Sequence, residues 1–357
     1  MSPRSAGSEG PDGSQGAGDA GGDDEREAST PPKPRLLLHA GLFLATVLTT
    51  TATGALLAHR GEAIAPIRDG LPYSLPLMLI LLCHEFGHYI AARLHRIPAS
   101  LPYFIPLPPG FGFGTLGAVI GMRRVTTDRK QLIDVGAAGP LAGLVVAIPL
   151  LVYGLMHSEV GPLANGMQEG NSILYALIKW MVKGAWLPNN QNDVFLHPTA
   201  HGAWVGLLIT MINLLPIGQL DGGHVATAYF GNRYNRFAER LRRLLPIGAV
   251  LVFFWVLHAT QREAGSAWSL QPGMLIGMYA AMPWLVWFVL VGLMRRMTGG
   301  ENHPPVDDKP LPRSRRALFW LMVVVFVGVF MPVPLRPIAV TGPAPPADPS
   351  ISASVER

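Results

Sequence analysis

The chain has 357 residues, 49% of them apolar and only 14% charged, with a formal net charge of +5. Soluble domains carry about 25% charged residues, so this composition excludes an ordinary soluble fold and points to a bilayer. Cys83 is the single cysteine, which excludes an intrachain disulfide framework.

Residues 1–35, rich in Gly, Ser, Asp and Pro, lack an apolar face and are expected to be a disordered tail. They do not read as a signal peptide, because no basic start leads directly into a short apolar core. Seven later stretches approach the roughly 20 apolar residues of a helical crossing: 36–57, 71–93, 131–156, 201–230, 244–260, 273–294 and 317–333. They predict an all-α polytopic membrane protein with an embedded domain over 36–333 and a disordered tail over 334–357.

The second stretch, LPYSLPLMLILLCHEFGHYIAARL, carries HEFGH at 84–88. His84 and His88 are four apart, so on a helix their imidazoles project from one face a turn apart and reach one zinc ion. Glu85 does not ligate in this pattern. It takes a proton from the metal's water, as the general base of a zinc hydrolase does. Ionisable groups are costly in lipid, which favours a functional reading over satisfied core histidines. Cys83 points about 100° away from His84 and reads as core.

The linker 100–125 is too rich in Pro and Gly for a helix and too apolar for an aqueous loop. Its spacing of Phe111, Phe113, Leu116 and Ala118 to Ile120 suggests a short β-hairpin or re-entrant segment near the catalytic helices. A surface loop without catalytic contact is the alternative. GAAGPLAG, at 136–143, allows close helix packing in the third stretch. Residues 171–183 resemble an amphipathic helix carrying Trp180, Lys179 and Lys183, expected to lie on the membrane as an anchor.

The fourth stretch contains Pro216 and Gly222–Gly223 and is expected to be broken or bent. Asp221 is its only acid and the best candidate for a third ligand, which two histidines and a water leave wanting. A turn residue ahead of two glycines is the competing reading. Asn213 is a candidate to bond substrate or an oxyanion, or else a packing asparagine. His224 is either a residue bonded to the ligands or an interfacial histidine.

Charge predicts orientation. With seven crossings and a cytoplasmic N-terminus, 21 of the 28 Lys and Arg fall on the cytoplasmic side, as the positive-inside rule requires. The basic balance is thereby explained as topology, and no nucleic acid need be invoked. His88 and Asp221 then lie at a shared depth, roughly 8 to 14 Å inside the cytoplasmic boundary.

HEFGHYIAAR and NLLPIGQLDGGH resemble, in order and spacing, the two signatures of the site-2 protease family of intramembrane zinc metallopeptidases. The resemblance covers 71–230, with NHPPVDD at 302–308 matching loosely, and shows no room for a PDZ domain between the crossings. It implies Zn2+ on His84, His88 and Asp221, with Glu85 as base. It also implies that the 100–125 segment offers a strand edge to substrate, for which Gly114, Leu116 and Gly117 are the candidates. The expected function is hydrolysis of a peptide bond in or near a transmembrane segment of a membrane-protein substrate, in a bacterial inner membrane with the site opening to the cytoplasm. A membrane zinc-binding or transport protein is the alternative, and a scaffold for membrane partners a third.

Overall fold

The computed structural model describes residues 35–59, 66–122, 126–189, 191–263, 270–297 and 303–338. The expected tail over 1–35 lies almost wholly outside them, as does most of 334–357. The protein is mostly helical: α1 Leu36–Ala58, α2 Leu71–Leu94, α3 Arg129–Met156, α4 Ile173–Lys183, α5 Pro198–Asn213, α6 Asp221–Phe230, α7 Tyr234–Glu263, α8 Leu270–Met297 and α9 Arg313–Val329.

By length and composition, five helical stretches can cross a membrane: Leu36–Ala58, Ile67–Leu94, Arg129–Met156, Asp221–Arg262 and Gly273–Leu293. Seven were expected, and two of those fall short as single helices. The fourth is broken over 214–220, where Pro216 removes a backbone donor and Gly218 turns left-handed at φ 62°. That leaves α5 with 16 residues and α6 with 10. The seventh corresponds to α9, which has 17 residues.

The outer helix and the central helix are patterned differently. On α1, Thr46, Thr50, Thr51 and Thr53 are buried while Leu44 and Leu48 are exposed. The Thr50 hydroxyl bonds both the Thr46 carbonyl at 2.7 Å and Ser74 Oγ on α2 at 2.6 Å, so α1 docks through hydroxyls and small residues, as helices in lipid do. α5 is buried nearly all round, with Trp204, Leu207 and Met211 fully enclosed. A helix apolar on every side belongs inside. It packs against α2 and α3, its Gly202 lying on the Tyr73 carbonyl and its Gly206 on Ile80.

Three two-stranded antiparallel sheets accompany the helices; one lies in the 100–125 linker, where a short hairpin or re-entrant segment was expected, and the other two were not expected. β1 Tyr103–Pro106 pairs with β2 Thr115–Val119, with Tyr103 opposite Val119 and a bulge near Pro106. This pair runs along α2: Ala99 and Met122 pack beside Ala91 and Ala92, and the Tyr73 hydroxyl bonds the Phe113 carbonyl at 3.0 Å. β3 Glu159–Pro162 pairs with β5 Asn192–Phe195, and β4 Gly166–Glu169 pairs with β6 Leu335–Ile338. β6 falls inside the segment expected to be a disordered tail; its backbone groups are held by β4.

α4, expected to be an amphipathic anchor helix, turns its lysines inward and apolar side chains outward. Lys179 and Lys183 are buried, whereas Ile173, Leu177, Trp180 and Met181 are exposed. Lys179 Nζ meets Glu169 Oε1 at 3.3 Å and stands 4.4 Å from the Tyr175 ring centre, and Lys183 Nζ donates to the Ser158 carbonyl at 2.6 Å. Each buried ammonium is satisfied by an acceptor on another element, as burial of a charge requires.

Long-range polar contacts sort the bundle into two ends. At the α2 C-terminal end, Arg315 clasps Asp134 through Nε at 3.0 Å and Nη2 at 2.9 Å, and His95 Nε2 reaches the same carboxylate at 3.0 Å. Arg129 donates there to the carbonyls of Ala228 and Tyr229, both at 2.7 Å. The sheets β3–β5 and β4–β6 gather at the opposite end, after α3 has crossed.

Candidate metal centre

Helical spacing sets the first two donors. His84 and His88 stand one turn apart on α2, both buried, and α3 lies against them through glycines. A Cβ at Gly139 would collide with the His88 ring, and one at Gly143 would come within 3.3 Å of His84 Cβ. His88 Nδ1 is 2.8 Å from the Val135 carbonyl. A carbonyl only accepts, so Nδ1 carries the proton and Nε2 presents a lone pair.

The break before α6 supplies the third donor. Asp221 opens that helix, where a carboxylate is favoured by the helix dipole. Its Oδ2 is 3.1 Å from His84 Nε2 and its Oδ1 3.2 Å from His88 Nε2, while the two Nε2 atoms are 3.2 Å apart. Among the described residues this is the one group of three side chains whose donor atoms converge closely enough to hold a metal ion. Ligands about 2.0–2.1 Å from a tetrahedral zinc stand roughly 3.3 Å apart, so the triangle has the size that zinc requires. Lone pairs facing each other at such distances also favour a cation between them. The Asp221 side chain is 15% exposed, which leaves the cluster open on that side.

Glu85 is buried, next to His84 and three residues before His88, hence on the same turn. Asn213 ends α5 with its Nδ2 3.3 Å from His84 Nε2, so its amide reaches the cluster. Cys83 is half-buried and outside it. Of the strand candidates, Leu116 is exposed. A Cβ at Gly117 would stand 3.7 Å from Ile209 of α5, about one turn before Asn213. Gly114 packs against α1 instead, where its carbonyl accepts from Thr49 Oγ1 at 2.7 Å.

His224, one turn after Asp221, is buried against Gly136 and turned toward a residue that the sequence did not single out as its partner. Its Nδ1 is 3.0 Å from His303 Nε2, and His303 Nδ1 is 2.8 Å from the Pro304 carbonyl. Burial holds the His303 imidazole below its ordinary pKa, with that carbonyl opposing. Neutral His303 therefore donates from Nδ1 and accepts at Nε2, so His224 donates from Nδ1 and keeps Nε2 as an acceptor. Asn235 holds the backbone of His303 through bonds of 2.9 and 3.0 Å. The only signal in the sequence was the loose match of NHPPVDD.

Residues 72–255 match the model of Peptidase family M50, a stretch that contains both motifs. The chain is 30% identical over 207 residues to the probable zinc metalloprotease EGY1, chloroplastic, of Arabidopsis thaliana, covering 55% of this chain and 37% of that protein. It is 32% identical over 198 residues to EGY2 of the same plant, 54% of this chain and 35% of that protein. With EGY1 of Oryza sativa subsp. japonica it shares 34% over 170 residues, 46% and 29% respectively. The chain thus spans about a third of the length of these relatives. No solved structure matches it significantly.

Proposed function

This chain belongs to peptidase family M50 and is a multi-pass membrane protein, and on that footing we propose that it is an intramembrane zinc endopeptidase. Its substrate is a membrane protein, cut at a peptide bond in or near a transmembrane segment, as in regulated intramembrane proteolysis. The observation that carries this reading is the triangle of His84, His88 and Asp221 donors, 3.1–3.2 Å on each side, with Glu85 buried on the same turn. The curated relatives carry the words zinc metalloprotease in their names.

His84, His88 and Asp221 would hold the zinc, which when bound polarises the scissile carbonyl and makes a water acidic enough to ionise near neutrality. Glu85 takes the proton of the attacking water and passes it to the departing amine. Asn213, with its amide at the edge of the cluster, donates to the oxygen on which negative charge develops. His224, fixed by His303, steadies the Asp221 side of the site. A helical peptide bond has its backbone groups occupied, so a substrate crossing must unwind to be cut. The backbone of β2 at Leu116, whose side chain is exposed, and at the buried Gly117 beside it replaces its lost hydrogen bonds by strand pairing.

The two halves α5 and α6 together make one crossing and α9 makes the last, for seven in all. The basic segments then face the cytoplasm, with the site opening toward it. A bacterial inner membrane is the expected location, while the relatives are named as chloroplast proteins.

Glu85→Gln tests the reading directly. The variant should keep one zinc per chain and retain substrate, while product formation falls about 10²- to 10⁴-fold, the contribution of a general base. Equal product from variant and wild type would remove Glu85 as the base. A wild-type protein that carries zinc but cleaves no single-crossing substrate would favour the metal-handling alternative.

A further inference from the structure

One carboxylate joins three helices at the α2 C-terminal end. Asp134, on α3, accepts at Oδ1 from Arg315 Nε at 3.0 Å, and at Oδ2 from Arg315 Nη2 at 2.9 Å and His95 Nε2 at 3.0 Å. Arg315 stands in the first turn of α9, and His95 is the residue that closes α2. The Asp134 side chain is 16% exposed, so solvent offers little competition for it. Its two oxygens are fixed together, a constraint that a guanidinium fork imposes and a single ammonium does not.

The next residue shows what this grip serves. The Val135 carbonyl accepts from His88 Nδ1 at 2.8 Å, the bond that leaves the His88 Nε2 lone pair facing Asp221 and His84. That bond survives only while α3 keeps its register on α2. Between the two helices runs a seam of small residues, where a Cβ at Gly87 would come within 2.6 Å of the Ala138 carbonyl. Small residues let backbones approach closely, but they present few side chains to interlock. Polar pins therefore carry much of the register. His95 on Asp134 is such a pin, about two turns of α2 beyond His88.

We propose that Arg315 is a positioning residue of the metal centre: it locks the Asp134 carboxylate onto His95, and so holds α3 in the register that sets the Val135 carbonyl on His88. Arg315 lies outside the stretch 72–255 that matches the family, and its role rests on the zinc reading of His84, His88 and Asp221. Through this clasp α9 governs a site to which it gives no ligand.

The full chain in detergent is loaded with zinc and titrated with a chelator of known affinity, and Tm is recorded for each variant. Arg315→Gln, which loses both fork and charge, should weaken zinc about tenfold, the lower end of the loss seen when a group supporting a ligand is removed. By charge alone, loss of a cation would tighten a zinc site, so the expected sign marks a positional effect. Arg315→Lys keeps the charge without the fork and should weaken zinc less. Asp134→Asn should weaken it as well, and adding Arg315→Gln should then weaken it no further, because both act through one carboxylate. Lys179→Met, in the Glu169 cluster, supplies the pattern of a merely structural residue, a lower Tm with zinc affinity unchanged. That pattern in Arg315→Gln, or in Arg315→Lys where the former does not fold, would overturn the clasp's role while zinc on the wild type leaves the metal centre standing. Additive losses in the double variant would overturn it too. A wild-type chain that binds no zinc would overturn the metal centre and the clasp's role together.

Discussion

Two clusters of buried ionisable groups sit at different levels of this bundle, and they are built on opposite plans. At the end of the bundle holding β3–β5 and β4–β6, Glu169 Oε1 accepts from Tyr175 Oη at 2.9 Å and from Lys179 Nζ at 3.3 Å. Acid and base belong to one chain, and the cluster neutralises itself. At the α2 C-terminal end, two imidazoles and a carboxylate bring three donor atoms within 3.2 Å of one another. That second plan is suited to a cation from outside the chain. Burial alone therefore says little about function; what distinguishes a site from a strut is whether the chain brings its own counter-charge.

If that distinction is right, removing a converging donor has the largest consequence. Asp221→Ala or His88→Ala should drop zinc content well below one equivalent and cleavage to background, as read by metal analysis and a peptide-bond assay. Full zinc in Asp221→Ala would exclude that carboxylate from the ligand set.

A subtler break acts through the α3 face. Gly139→Ala places a methyl into the His88 ring and should weaken zinc binding about 10- to 100-fold, the range seen when groups supporting a ligand are lost. Gly143→Ala, whose nearest contact is 3.3 Å, should cost much less. Equal effects at the two positions would mean that the glycines serve general packing and not the placement of His88.

The self-neutralised cluster should respond in stability and not in metal. Lys179→Met leaves Glu169 buried without its partner and should cost about 3 kcal/mol, seen as a lower Tm with zinc retained. Burial already pushes the Glu169 carboxyl above the usual range, against the pull of Lys179. A raised folded pKa means that the folded state holds the proton more tightly. The associated stability is present at acid pH and is lost as pH rises through the folded value. Glu169→Gln should flatten that dependence, and an unchanged pH profile of Tm would assign the slope to other groups.

Much of the geometry of the candidate metal site was legible in the sequence because its information is local. The i, i+4 spacing of His84 and His88 fixes a common face, and a lone acid in an apolar stretch marks Asp221. Pro216 announced the break that lets Asp221 begin a new helix. The rest depended on partners far along the chain or on the solvent. His303 joins His224 across 79 residues, and β6 finds β4 across more than twice that. Such short strands carry little pattern of their own. The lysines of α4 find partners outside their own helix, Lys179 on Glu169 and Lys183 on the Ser158 carbonyl, which the pattern of the helix alone does not encode. The number of crossings was overstated as continuous helices for a related reason: hydropathy registers the apolar content of 201–230 but not the turn inside it.

The two glycines after Asp221 have a consequence for descent. A Cβ at Gly222 would run into the Leu214 carbonyl, and one at Gly223 into the Gly218 carbonyl, so the first turn of α6 fits over the break only when both are bare. LDGGH is thus a composite of letters, one kept for chemistry and two for room. A homologue that had abandoned hydrolysis would be released from the acid and still bound by the glycines. Retention of GG is evidence of this architecture, and only the aspartate before it speaks for an enzyme.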